Sequence, residues 1–161
     1  MATPDADEPV SFVFTGDTYG QGRAPPYQVP RRMDDLDPDF FLYLGDTIYA
    51  DDETPALPDG NPETVEDYRA KYKEIRELGT NLRDLLCSTS VVTIWDDHEV
   101  RNDWAGPEEP LLPAARQAFL EYWPVDEHPA VTGEDEDRLY RSFRWGKAVE
   151  LFVLDARQYR D

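Results

Sequence analysis

Residues Asp39–Leu44 read DFFLYL, a near-continuous apolar run that stops at Gly45-Asp46. A run without polar alternation suits a strand buried on both faces, as in a parallel sheet covered by helices. Two other segments have the same form. Val10–Thr15 (VSFVFT) is closed by Gly16-Asp17, and Val91–Trp95 (VVTIW) ends abruptly in Asp96-Asp97-His98-Glu99. Between them the spacing predicts helices. A short polar one falls around Arg32–Leu36. Thr64 caps a second, with Asp67 near its third position and Val65, Tyr68, Tyr72, Ile75 and Leu78 on the core side. Gly79 ends it, and Asn81–Cys87 offers a third with Leu82, Leu85 and Leu86 inward and Cys87 as a small core residue. Ala114–Trp123 is a fourth. Arg138–Asp155 reads as two strands meeting at Trp145-Gly146-Lys147. This order predicts an α/β fold in one domain, residues 10–161, behind an acidic tail, residues 1–9.

The 161 residues have room for one core, and 7 Phe, 9 Tyr and 4 Trp supply the apolar material for it. Charge is lopsided: 16 Lys and Arg against 35 Asp and Glu give a net −19. Such a surface excludes bulk binding to nucleic acid or anionic membrane. With only Lys71, Lys73 and Lys147 as lysines, it also suits a salt-loving habitat, where ions screen self-repulsion. A lone Cys87 excludes an internal disulfide and multi-cysteine metal sites. No apolar stretch reaches membrane-span length. Met1–Pro9 lacks the basic-then-apolar order of a secretion leader, so the chain as written is expected in the cytoplasm.

In open α/β sheets, ligands collect at the rim where neighbouring parallel strands end. All three early strands deliver acid there: Asp17, Asp46, and Asp96-Asp97 with His98. Carboxylates crowded this way repel one another, and a bound cation removes the problem. Aspartate oxygen and histidine nitrogen suit first-row metals as well as calcium. A calcium loop over Asp35, Asp37 and Asp39 fails, because its turn glycine would fall at Phe40. Neither a Gly-x-Ser-x-Gly elbow nor a phosphate-binding P-loop occurs. Metal-activated water remains.

The blocks Gly16-Asp17, Gly45-Asp46-Thr47-Ile48-Tyr49, Trp95-Asp96-Asp97-His98-Glu99-Val100-Arg101-Asn102-Asp103-Trp104 and Leu154-Asp155-Ala156-Arg157-Gln158-Tyr159 resemble the alkaline phosphatase D (PhoD-like) family of metallophosphoesterases. The resemblance implies half of an αββα sandwich, a layered sheet flanked by helices, and hydrolysis of phosphomonoesters or phosphodiesters by metal-activated hydroxide. It makes Asp46 the bridging metal ligand, Tyr49 a phenolate ligand, and Asp97 a ligand of the second metal. His98 would face the leaving group, and Asn102 would match a polar position near calcium. Asp17 stands where many members carry a cysteine thiolate, which leaves iron, manganese, magnesium and calcium all open. Arg101 is divided between clamping phosphate and pairing with Asp96 or Asp103.

The family pattern continues past Arg-Gln-Tyr, so the chain is expected to hold roughly the amino-terminal half of a family domain and about half of its ligands. The expected partners are a phosphoester, together with a C-terminal half or a second copy covering an exposed sheet. His128, in a Glu-His-Pro loop, is expected to be exposed rather than ligating. Two competing readings are an inactive remnant that binds a cation or a partner, and an acidic calcium buffer.

Overall fold

A computed structural model describes residues 9–18, 27–125 and 138–160. The expected acidic tail, except Pro9, and His128 lie outside the described residues. The three apolar runs form β1 (Phe12–Thr15), β2 (Phe40–Leu44) and β3 (Ser90–Ile94), a parallel sheet in the order β1-β2-β3. Register pairs Phe12 with Phe40 and Phe40 with Ser90. β2 is therefore central, which explains why its apolar run is the least interrupted: Phe40, Phe41 and Tyr43 are all fully buried.

Among the described residues, four helices accompany the sheet: α1 (Gln28–Asp34), α2 (Val65–Leu78), α3 (Thr80–Ser88) and α4 (Leu112–Tyr122). α2 starts as its sequence predicts. Thr64 accepts the Asp67 N–H while the Asp67 carboxylate accepts the Thr64 N–H, satisfying donors that the first turn leaves open. Tyr68 and Tyr72 are buried, and Tyr43 meets Trp123 edge-on at 5.5 Å between ring centres. Lys71 is buried too. Its Nζ donates to the Asp52 carbonyl at 2.7 Å and to Thr54 Oγ1 at 3.1 Å, tying the acidic loop after β2 onto α2.

The antiparallel pair β4 (Arg141–Trp145) and β5 (Val149–Val153) forms the expected hairpin. Trp145 packs on Phe40 at 5.0 Å, and Arg141 Nη2 donates to the Thr93 carbonyl at 2.5 Å, so the hairpin lies against β2 and β3. Side chains alternate along strands, and register places Phe12, Phe14, Phe40, Leu42 and Leu44 on one face of the sheet. Trp145 covers Phe40 there, whereas Phe12, Phe14 and Leu44 stay exposed, as do Phe152 and Leu154 in the hairpin segment.

Three local expectations are corrected. The first helix begins at Gln28 rather than near Arg32, with Pro30 in its first turns, where a missing N–H costs nothing. Cys87 is exposed: α3 buries Leu82 and Leu85, and a residue two positions beyond Leu85 turns away from that stripe. Leu78, the last residue of α2, is exposed as well.

Candidate metal centre

Because β1, β2 and β3 run parallel, their carboxyl ends share one rim. The loops leaving it cross closely. Gly45 has φ +91°, and a Cβ there would stand 2.4 Å from the Asp96 nitrogen, so only glycine lets the β2 loop pass the β3 loop. Asp17 and Asp46 each adopt a left-handed φ, 53° and 49°. The Thr18 N–H donates to the Asp46 carbonyl at 3.0 Å, fastening the first loop to the second.

Asp46, Asp97 and His98 come together: each offers a ligand atom within 4.8 Å of the others. Both carboxylates are buried, and the His98 N–H donates to Asp46 Oδ1 at 3.3 Å. Burial raises the Asp46 carboxyl to about 6; the His98 backbone donor and ring oppose this, and the Asp97 charge adds to it. Asp97 Oδ2 accepts the Asp103 N–H at 2.7 Å and stands 3.4 Å from Arg157 Nη2.

Tyr49 joins Asp17 to this group. Its hydroxyl donates to Asp17 Oδ1 at 3.3 Å and also bonds Asp46, and its ring stacks on His98 at 4.2 Å. Burial and then the Asp46 and Asp17 charges hold its pKa well above the ordinary tyrosine value, so without a cation it is a phenol. Asp17 itself is exposed and lies at the edge of the cluster.

His98 leans on a residue that sequence reasoning passes over. Its Nδ1 lies 2.6 Å from Asp51 Oδ1, while Asp51 Oδ2 accepts the Asn102 N–H at 2.7 Å. Burial of the ring opposes protonation, but the Asp51 hydrogen bond and the charges of Asp51, Asp46 and Asp97 together outweigh it, and His98 is pushed up to about 9. Asn102 contributes this backbone donor, and its side-chain amide donates to Asp103 Oδ2 at 3.1 Å. Arg101 pairs with Glu109 rather than with Asp96 or Asp103: its Nε and Nη2 bind Glu109 Oε2 at 2.7 and 2.6 Å. The cation at the rim is Arg157, whose Nε meets Asp96 Oδ1 at 2.6 Å. Asp155 Oδ1 accepts the N–H groups of Arg157 and Gln158 and shapes the turn that brings the arginine in. Glu99, fully buried, is the third residue missed. All three lie in or beside the quoted motifs, which is the signal that marks them.

Two carboxylate oxygens and an imidazole, with a phenol and a further carboxylate alongside, form a hard donor set that fits a first-row divalent or trivalent cation or calcium. Residues 12–161 match the family described as PhoD-like phosphatase. The chain is 31% identical over 182 residues to alkaline phosphatase D of Bacillus subtilis (strain 168), an alignment covering 100% of this chain and 30% of that protein. A solved structure titled "Structure of PhoD" superposes with a TM-score of 0.80 at 27% identity, over 99% of this chain and 34% of that one. The chain thus spans about a third of the length of the relatives it matches. With the rim, its acids and these likenesses in agreement, the chain belongs to the PhoD-like phosphatase family.

Proposed function

We propose that this chain carries the metal-holding rim of a phosphoester hydrolase acting on phosphomonoesters or phosphodiesters. The observation that carries the reading is the convergence of Asp46, Asp97 and His98 within 4.8 Å at the carboxyl rim of a parallel sheet. Asp46 and Asp97 would hold the cations, with Asp17 and Tyr49 beside them. Bound there, such cations supply Lewis acidity, lowering the pKa of water and neutralising phosphate charge.

The protein's own groups have separable tasks. His98, held by Asp51, presents an oriented imidazolium that can donate a proton to the departing oxygen. Arg157 holds Asp96 and Asp97 in place rather than meeting substrate. Arg101, paired with the buried Glu109, is a structural cation in this reading.

We also read the exposed Phe12, Phe14 and Leu44 on one face of the sheet, and Phe152 and Leu154 on the hairpin, as apolar surface that a second layer covers in an αββα sandwich. That layer would come from further family sequence or from a second copy of the chain. The hydrolase reading is favoured over a cation buffer because a buffer does not need an oriented histidine.

Purified chain with added manganese, iron or calcium should hydrolyse a chromogenic phosphodiester, and Asp46→Asn and His98→Ala should each abolish the turnover. Equal rates in the wild type and both variants would overturn the assignment.

A further inference from the structure

Glu99 is fully buried, yet all four of its hydrogen-bond donors are neutral. Its Oε1 accepts from the Thr47 N–H at 2.5 Å and the Thr47 hydroxyl at 2.6 Å. Its Oε2 takes one N–H from each of two loops, Asp46 at 3.1 Å after β2 and Asp96 at 2.9 Å after β3. A buried charge without a cationic partner is a poor way to gain stability. What it gains is geometry. When Glu99 is ionised, its two oxygens only accept and can bridge four converging donors, a task no neutral side chain of that size performs, since a glutamine turns one end of its amide into a donor.

The bridge lies where the candidate centre needs it. Asp97 and His98 fall between Asp96 and Glu99, so that segment is pinned at both ends, and the same oxygen atom pins the backbone of Asp46 across the gap. Asp46 holds a left-handed φ of 49°, a conformation that persists only where its surroundings enforce it.

We propose that Glu99 is a positioning residue whose Oε2 locks the β2 and β3 loops together, setting the spacing of Asp46 from Asp97 and His98. Its purpose rests on the metal-centre reading; the locking itself is measurable without metal.

The test uses the 161-residue chain, its Glu99→Gln variant and a Thr47→Val control that leaves the Oε2 bridge intact. In metal-free protein, hydrogen exchange by NMR should show the Asp46 and Asp96 amides of the wild type opening together. In Glu99→Gln both should lose protection while far-ultraviolet circular dichroism is retained. Titrated with cobalt(II), Glu99→Gln should bind about 10- to 100-fold more weakly, with an altered visible absorption band, and Thr47→Val should keep the wild-type band. A role in stability alone would lower the melting temperature and leave the band shape unchanged. Unchanged amide protection in Glu99→Gln, or an unchanged cobalt affinity and spectrum, overturns the proposal. If the wild type binds no cobalt, the metal-centre reading fails while the exchange data still decide the role of Glu99. If Glu99→Gln does not fold, the wild-type exchange decides alone: unequal, independent opening of Asp46 and Asp96 refutes the lock.

Discussion

His98 Nδ1 lies 2.6 Å from Asp51 Oδ1, and the other oxygen of Asp51 accepts the Asn102 N–H at 2.7 Å. One carboxylate therefore ties the imidazole to the loop that follows it, which fixes the ring's direction.

Replacing that carboxylate with an amide should free the ring without changing its surroundings much. In Asp51→Asn the His98 pKa should fall back toward the ordinary imidazole range. Turnover of a chromogenic phosphodiester, where present, should fall about 10- to 100-fold, as expected for loss of a group that orients a histidine. A proton NMR titration of the imidazole and a rate assay check the two effects separately.

Arg157 forks between Asp96 and Asp97 with its side chain only 13% exposed. Arg157→Lys keeps the charge and loses the fork. The variant should be less stable by about 1–3 kcal/mol, because Asp97 is left buried with one partner fewer. Urea denaturation at fixed salt measures this, and a wild-type midpoint would show that the fork is not needed.

Gly45→Ala should be costlier than its single methyl suggests. The residue has φ +91°, and the added carbon would meet the Asp96 backbone at 2.4 Å, which no side-chain rotation relieves. Strain and displacement together should cost about 2–5 kcal/mol in urea unfolding.

The fold was legible in the sequence where local pattern and burial coincide. DFFLYL predicts a central strand because burial on both faces leaves no room for polar alternation, and β2 is that strand. Asp46, Asp97 and His98 were legible for a related reason, since each follows an apolar run and parallel strands bring such ends to one rim. Asp51 and Arg157 were not. Their roles depend on contacts 47 and 61 residues away in sequence, and spacing along a chain carries no trace of such pairings. Glu99 reads as one more acid of an acidic chain until the two loops close around it. Cys87 shows the reverse error: a small apolar residue inside a helix pattern was assigned to the wrong face.

The metal-free chain should lose stability as pH rises from mildly acid to alkaline. Burial lifts the Asp46 and Glu99 carboxyls to about 6 and about 7, from 3.8 and 4.5, and against its own burial the Asp51 hydrogen bond and the charges of Asp51, Asp46 and Asp97 lift His98 from 6.5 to about 9. In each case the folded state binds more protons than the unfolded one, so the slope of stability with pH is negative. For His98 the favourable contribution is complete below the unfolded value of 6.5 and is lost through 9, on the order of 2 kcal/mol. For Asp46 and Glu99 the loss falls earlier, between 3.8 and about 7. Thermal melts from about pH 5 to about pH 10 in chelator should show this decline. A bound cation should flatten its acidic part, because it holds the carboxylates ionised.

Phe14 on β1 and Phe152 on β5 are 62% and 69% exposed, and Phe12, Leu44 and Leu154 are exposed as well. Each phenyl ring left in water forgoes about 2 kcal/mol that burial would return, so several of them together favour association. Among the described residues β1 is also an edge strand of its sheet. The isolated chain should therefore show a sedimentation coefficient that rises with concentration. Phe14→Ser with Phe152→Ser should shift it toward monomer while changing the urea midpoint little, since neither ring is deeply packed. A wild-type chain that stays monomeric at high concentration, or a double variant that associates as strongly, would mean that this face is not where a second layer or copy docks.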